Sequence, residues 1–380
     1  MSSAIDITAD RTGPLAVADA QFAWRVGFLL GLPFAVPAPP LYLIGFACFL
    51  FSLPRFKLRL HSSGNWRELG IITLIIIALL SNLAALSRYN IDLMRIITTS
   101  FFFLLFIFPS CIADKRSLLL GFCQVMLVWA ALIILMAINL RIWDYGLLLF
   151  SVPNFRLWGA EIFPDWPNYM AFMLSFAFLL NAIVFGRPWQ AGLLFFAALL
   201  TTSRTPLIAL GLLLTAWVIF QLMNLRLGKL MAFGCTLIVS LLILLIEVDI
   251  DPLFLERLMI IDDRDDIYSF ALGLFQQSLW IGHGSVLLDE SIGFNGHPSF
   301  HNSYLDIAVR HGLPALLIFL LLLAPPRAGW HVGGLNFAAV VLFVLVGSMF
   351  QNFLKHPHIL MLYVVLIESS SLFRKPRRGI

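Results

Sequence analysis

Long apolar runs recur along the whole chain, and they constrain its fold more than any other feature. About twelve of them follow one another between residues 21 and 373. Most are close to the roughly 20 residues that an α-helix needs to cross the hydrocarbon core of a bilayer. The runs are continuous rather than alternating, which argues against the strands of an outer-membrane barrel. The sequence therefore predicts an all-α fold, a polytopic transmembrane helical bundle.

Composition agrees with a chain that lies mostly in lipid. Hydrophobic residues make up 60% of the sequence and charged residues 12%, whereas an ordinary soluble domain has roughly 25% charged residues. A soluble fold would lack the polar side chains to cover its surface, and a bilayer removes that requirement. The predicted spans lie near residues 21–37, 41–53, 68–86, 91–112, 117–138, 165–185, 189–203, 206–222, 229–247, 302–323, 335–350 and 357–373.

Basic residues cluster in alternate connections between the predicted spans. An even number of spans and a cytoplasmic N terminus place most of the 25 Lys and Arg residues on the cytoplasmic side, as the positive-inside rule requires. Both termini are then cytoplasmic. The predicted divisions of this single membrane domain are an N-terminal tail over 1–20, spans 1–9 within 21–247, a periplasmic loop over 248–301, spans 10–12 within 302–373 and a basic tail over 374–380.

The loop over 248–301 is the one long polar connection in the sequence. Within it, residues 264–280 carry apolar side chains at helical spacing: Ile267, Phe270, Ala271, Leu274, Phe275 and Leu279. This pattern predicts an amphipathic helix that lies on the membrane or over a cavity. A connection of this length between helices usually has a function.

Two arginines stand out on the predicted periplasmic side. Arg204 follows Ser203 at the junction of two spans, where an arginine at membrane depth must reach the interface or bind a partner. Arg264 lies between pairs of Asp residues at the start of the amphipathic segment, seven residues after Arg257. Each also has an ordinary structural explanation. Arg204 can cap helix carbonyls, and Arg264 can form a surface ion pair of little energetic value.

Polar residues also gather where the tenth span begins. His297 and His301 are four residues apart, a spacing that zinc sites use. Pro298 disfavours a regular helix there, however, and no carboxylate or Cys completes a ligand set. His301 can instead serve as a general base towards a hydroxyl, or it can be an interfacial histidine with no chemical role. Further along, the spacing of Asp306 and Arg310 predicts an ion pair within one helix.

Taken in order, these motifs resemble those of the O-antigen ligase and polymerase superfamily of bacterial envelope glycosyltransferases. The resemblance covers roughly residues 150–325. The matching motifs are Arg156-Leu-Trp-Gly159, Pro167-Asn168, Ser203-Arg204, a helix that begins at Arg264, Gly282-His-Gly284, His301-Asn302-Ser-Tyr-Leu305 and His311-Gly312.

The resemblance implies a metal-independent, inverting glycosyltransferase of the inner membrane that needs no cofactor. It would move a glycan from undecaprenyl diphosphate to an acceptor hydroxyl at the periplasmic face, in lipopolysaccharide or surface polysaccharide assembly. The residues implied in catalysis are His301, Arg204 and Arg264. Those implied in diphosphate binding are Arg204, Arg264, Arg156 and Arg257. Those implied in positioning the acceptor are Asn302, Tyr304 and Asn168.

The acceptor distinguishes two versions of this activity. A ligase transfers the glycan to lipid A-core, and a polymerase transfers it to another lipid-linked repeat unit. Ligases often have His-x-His-Asn, whereas this chain has His297-Pro-Ser-Phe-His301-Asn302, so the interpretation leans towards a polymerase. The implied partners are the lipid-linked donor, either acceptor, membrane lipid, and chain-length regulator and flippase proteins, with no nucleic acid. A flippase or other transporter of lipid-linked sugars is the alternative from another class.

Overall fold

The computed structural model describes residues 14–32, 47–55, 66–86, 102–139, 167–201, 211, 264–285, 300, 302–324, 327–350, 357–369 and 372. Within these ranges the chain is helical and forms no strand. The all-α class is therefore confirmed for the part of the chain that is described. Of the predicted spans near 206–222 and 229–247, only residue 211 lies within it.

The α-helices of the described residues are numbered here in chain order. They are α1 (Pro14–Leu30), α2 (Trp66–Leu86), α3 (Phe108–Cys111), α4 (Lys115–Asn139), α5 (Pro167–Leu179), α6 (Pro188–Leu200), α7 (Arg264–Gln277), α8 (Ser303–Leu323), α9 (Arg327–Phe350) and α10 (Pro357–Ile367). A π-helix over Leu180–Phe185 continues α5, and a 3-10 turn over Leu105–Ile107 leads into α3.

Three of the described helices are long and apolar enough to cross a membrane. These segments are Arg67–Leu86, Lys115–Leu135 and Ser303–Leu323. They lie in α2, α4 and α8, at the positions where the sequence predicts spans. The protein is thus a helical membrane protein, while the total of about twelve spans and the periplasmic loop stay predictions.

Two helices begin seven or eight residues before the predicted bounds. The first helix begins at Pro14, within the segment predicted as a tail, because proline is well suited to the first turn of a helix. The helix α9 begins at Arg327, eight residues before the predicted span, since the Gly-containing segment ahead of 335 is helical as well.

Aromatic side chains join the helices in the core. Phe172 of α5 stacks on Phe343 of α9 with ring centroids 4.9 Å apart. Phe122 of α4 lies 5.8 Å from Phe176 of α5. Because lipid tails are as apolar as these side chains, close packing rather than burial from water holds such helices together.

Charged and polar side chains join the C-terminal end of α8 to its neighbours. Arg67 at the start of α2 pairs with Glu368 at 2.5 Å and donates to the carbonyl of Leu322 at 3.3 Å. Lys115 at the start of α4 lies 3.6 Å from the same Glu368 carboxylate. The Tyr363 hydroxyl donates to the carbonyl of Leu323 at 2.7 Å. The helices α2 and α8 therefore run antiparallel.

Candidate functional site

The N-terminal end of α8 is capped by a residue that the sequence analysis singles out. Asn302 has an extended backbone, and its Oδ1 accepts from the backbone N–H groups of Tyr304 and Leu305. Asn is among the best N-cap residues because it satisfies amides that the helix leaves without a partner. The cap fixes where α8 begins.

Tyr304 connects this end of α8 to α9. Its hydroxyl donates to the carbonyl of Leu345 at 3.0 Å, and the Ser348 hydroxyl lies 2.5 Å from it. One turn further along α9, the Tyr268 hydroxyl of α7 donates to the Met349 carbonyl at 3.0 Å. Tyr268 of α7 and Tyr304 of α8 thus lie at a similar level.

The predicted amphipathic helix is confirmed as α7, and it packs along α8. Ile267, Ala271 and Leu274 form a buried cluster with Phe300 and Val309. The spacing of the three α7 residues is that of one helix face. This apolar face is therefore covered by α8 and by the residue next to His301.

The helix α8 is broken near its middle. Gly312 has φ +79° and ψ 178°, and Pro314 lies two residues further on. In a regular helix the N–H of residue 313 would bind the carbonyl of Val309, and that of residue 314 would bind the carbonyl of Arg310. Proline has no N–H, and Gly312 turns the chain away, so both carbonyls need another donor.

Residues 279–284, which follow α7, supply those donors. The N–H of His283 binds the Val309 carbonyl at 2.8 Å, and that of Gly284 binds the Arg310 carbonyl at 2.7 Å. In return the N–H of Leu313 donates to the Leu279 carbonyl at 2.7 Å. The turn that contains Gly282-His-Gly284 therefore replaces the missing hydrogen bonds of α8.

Glycine is required in this turn for two reasons. Gly282 and Gly284 have φ values of +74° and +71°, which side-chain-bearing residues rarely adopt. Both also leave no room for a side chain. A Cβ on Gly282 would lie 2.5 Å from the Arg310 carbonyl carbon, and one on Gly284 would lie 2.6 Å from the Ala85 Cβ.

Buried polar side chains surround the break. Asp306 is fully buried, and its Oδ1 lies 3.5 Å from Arg310 Nε, which confirms the predicted ion pair. His311 is fully buried as well, and its Nδ1 lies 2.7 Å from the hydroxyl of Ser81 in α2. The N–H of Ser285 donates to Asn82 Oδ1 at 2.6 Å. These contacts join α2, α8 and the turn after α7.

Sequence reasoning missed Ser81 and Asn82 as members of this cluster. Both lie in a predicted span, where a polar pair inside an apolar run was the available signal. The role of Pro314 was also missed. Because Pro314 has no N–H, the Arg310 carbonyl needs another donor, and the sequence does not show which segment supplies it.

The predicted site residues are only partly described. Arg264 is the first residue of α7, and Asn168 is the second residue of α5, but their side chains are not described. Four others, His301, Arg204, Arg156 and Arg257, lie outside the described residues. Asn302 and Tyr304 lie at the N-terminal end of α8, two residues apart in the sequence.

Residues 190–320 match the family model described as O-antigen ligase. The resemblance drawn from the motifs is thereby confirmed. The O-antigen ligase match includes α7, the turn at 279–284 and most of α8, but not α2, which supplies Ser81 and Asn82 to the polar contacts around the break in α8. It also includes Arg204, Arg257, Arg264 and His301. No match was found among curated protein sequences.

Proposed function

We propose that the protein is a glycosyltransferase of the O-antigen ligase or polymerase type that uses a polyprenyl-diphosphate-linked donor. The observation that carries the proposal is that Phe300 and Ile267 belong to one buried cluster between α7 and α8. Phe300 precedes His301, and Ile267 lies one turn after Arg264. The shared cluster therefore supports a site in which a histidine and an arginine from distant parts of the sequence come together.

The proposed roles follow from the charges that the reaction develops. The acceptor oxygen attacks the anomeric carbon of the donor glycan, and the bond from that carbon to the diphosphate oxygen breaks with inversion. The undecaprenyl diphosphate leaves with the electron pair. Arg204 and Arg264, aided by Arg156 and Arg257, bind this anion, because the guanidinium group is always charged and can hold two oxygens at once.

His301 takes the proton of the acceptor hydroxyl in the proposed reaction. A histidine is a suitable general base near neutral pH. Asn302, Tyr304 and Asn168 position the acceptor. For Asn302 this role has to use the amide nitrogen, since its Oδ1 already accepts from two backbone amides. No metal and no cofactor takes part in the proposed mechanism.

We further propose that the acceptor is a second lipid-linked repeat unit, with transfer to lipid A-core as the alternative. The active site faces the periplasm, and the protein lies in the bacterial inner membrane with both termini in the cytoplasm. The polymerase version is supported by a departure from the His-x-His-Asn pattern of ligases, since this chain has His297-Pro-Ser-Phe-His301-Asn302 instead.

A transfer assay with purified protein tests the proposal. Lipid-linked repeat units are supplied alone and then with lipid A-core. A ladder of products from repeat units alone indicates a polymerase, and product only with lipid A-core indicates a ligase. The Arg204→Ala, Arg264→Ala and His301→Ala variants should each lose at least about 100-fold in rate, as expected for loss of a charge-stabilising or proton-transferring group. Arg116→Ala changes an exposed arginine at the start of α4 and should keep full activity.

The ion pair of Asp306 and Arg310 within α8 is the observation that favours a transporter instead, since buried charges in spans often line a transport path. Reconstitution in vesicles separates the two functions. Movement of a labelled lipid-linked glycan across the bilayer, without any transfer product, would favour the transporter and contradict the glycosyltransferase.

A further inference from the structure

The segment from α7 to Ser285 runs alongside α8 and in the same direction. Near its start, Tyr268 lies level with the contacts of Tyr304 to α9. Near its end, the carbonyl of Trp280 lies beside Gly312, where a Cβ would come within 2.4 Å of it. The segment thus descends along the first half of a helix that is long enough to span a membrane.

Phe300, the next described residue after Ser285, lies at the level at which the segment began. Phe300 is buried in the cluster at the N-terminal end of α8, two residues before the Asn302 cap. Both ends of the segment 264–300 are therefore near the start of α8, while residues 280–285 lie further along it. A path that enters and leaves on the same side is that of a re-entrant element.

Two helices give the depth of its tip. Gly312 lies nine residues after Ser303, which is about 14 Å along α8 at 1.5 Å per residue. Ser81, which binds His311, lies five residues before the end of α2 at Leu86, or about 8 Å. We use the smaller figure, because Gln276 and Gln277 are exposed just before the tip and an exposed amide is costly deep in hydrocarbon.

Part of the backbone of the turn is paired within the protein. Non-helical backbone is tolerated in a membrane where protein satisfies its polar groups. The amides of Gly282, His283 and Gly284 bind the carbonyls of Ser278, Val309 and Arg310. The amide of Ser285 binds the Asn82 side chain. These four consecutive amides therefore need no water as a partner.

The side chains at the tip are apolar and exposed. Trp280 is 66% exposed and Ile281 is 52% exposed. The neighbouring end of α2, which Gly284 touches at Ala85, also exposes large apolar side chains, with Leu83 at 64%. The exposed side chains of the tip and of this end of α2 therefore lie at a similar level along α8. Trp is well suited to the boundary between head groups and acyl chains.

We infer that residues 264–285 form a re-entrant element whose tip, Leu279–Ile281, lies about 8 Å inside the bilayer and contacts the acyl chains of membrane lipids. The leaflet is the one at the N-terminal end of α8. This contact is separate from the proposed transfer reaction, and it holds for either acceptor.

Spin labels on introduced cysteines test the inference in proteoliposomes. The Trp280→Cys variant is labelled, and its accessibility to oxygen, which enters hydrocarbon, is compared with that to a water-soluble nickel chelate. Leu83→Cys on the exposed side of α2 serves as the lipid control. Ala113→Cys, at an exposed position just before α4, serves as the water control. Cys48, Cys111 and Cys123 are buried, and labelling of the unmutated chain measures any background.

The label at position 280 should behave like the one at 83, with oxygen accessibility well above nickel accessibility. A label that behaves like the one at 113 would show that the tip faces an aqueous cleft, and low accessibility to both reagents would show that protein covers it. Either result overturns the inference. Ile281→Cys repeats the measurement if Trp280→Cys does not fold. Lipids with nitroxides at graded depths should quench a fluorophore at 280 most strongly from the shallow acyl positions.

Discussion

The two ends of α8 are held in place by different kinds of contact. Its N-terminal half is joined to residues 279–285 by backbone hydrogen bonds and by glycines that allow the chains to touch. Its C-terminal end is joined to α2 and α10 by the side chains of Arg67 and Tyr363, and Arg67 in turn shares the Glu368 carboxylate with Lys115 of α4.

The difference has a functional meaning under the proposed mechanism. Contacts made by the backbone leave nearby side chains available to a substrate. Side chains that already hold helices together are not available to bind one. The N-terminal half also carries Asn302 and follows His301. We therefore expect changes there to reduce transfer as well as stability, and changes at the C-terminal end to reduce stability alone.

The largest effect should come from Gly284→Ala. The new Cβ would lie 2.6 Å from the Ala85 Cβ, at a φ of +71°. Strain and overpacking together should cost about 2–5 kcal/mol, seen as a lower melting temperature in detergent and as lost transfer. Gly186→Ala is the control, because its φ is +62° but nothing lies within 4 Å. It should cost about 1–2 kcal/mol. Equal losses in the two variants would contradict the role given to close packing.

Arg67→Met should have the next largest effect, at the opposite end of α8. It removes the 2.5 Å pair with Glu368 and the bond to the Leu322 carbonyl. Because the pair is partly exposed, the cost should be about 1–3 kcal/mol, below that of breaking a fully buried pair. Lys115→Met removes only the 3.6 Å contact and should cost less than about 1 kcal/mol. Thermal melts measure both, and transfer per folded molecule should stay unchanged.

Ser81→Ala should cost about 1–2 kcal/mol, because it leaves Nδ1 of the buried His311 without its partner. The double variant Ser81→Ala with His311→Leu removes both polar groups and should recover part of the melting temperature. A double variant that is less stable than both single variants would mean that His311 has a further partner of greater importance.

The smallest effect on stability should come from Asn302→Ala, at about 1 kcal/mol for loss of the helix cap. Asn302→Ser keeps a capping oxygen and should restore the melting temperature. Transfer then separates the two roles of the residue. If Asn302 also positions the acceptor through its amide, the Ser variant should be stable and yet slow.

Local patterns in the sequence predicted those structural features that are formed by residues close together in the chain. The apolar spacing from Ile267 to Leu279 predicted α7, and the spacing of Asp306 and Arg310 predicted their ion pair. Each of these features is set within one or two helical turns.

Contacts between distant residues could not be predicted in this way. Arg67 and Glu368 are 301 positions apart, and nothing near either residue identifies the other. The Gly282-His-Gly284 motif was recognised, but its pairing with Val309 and Arg310 depends on the break at Gly312 and Pro314. The residues proposed to carry the chemistry, Arg204 and His301 among them, stay predictions.

The break in α8 also bears on how the protein is assembled in the membrane. A regular helix enters the bilayer with its backbone groups already paired, whereas α8 enters with the carbonyls of Val309 and Arg310 open. Synthesis proceeds from the N terminus, so residues 279–285 and Asn82 exist before α8 leaves the ribosome. The partner that completes the helix is thus present when the helix arrives, and the order of elements along the chain suits their order of insertion.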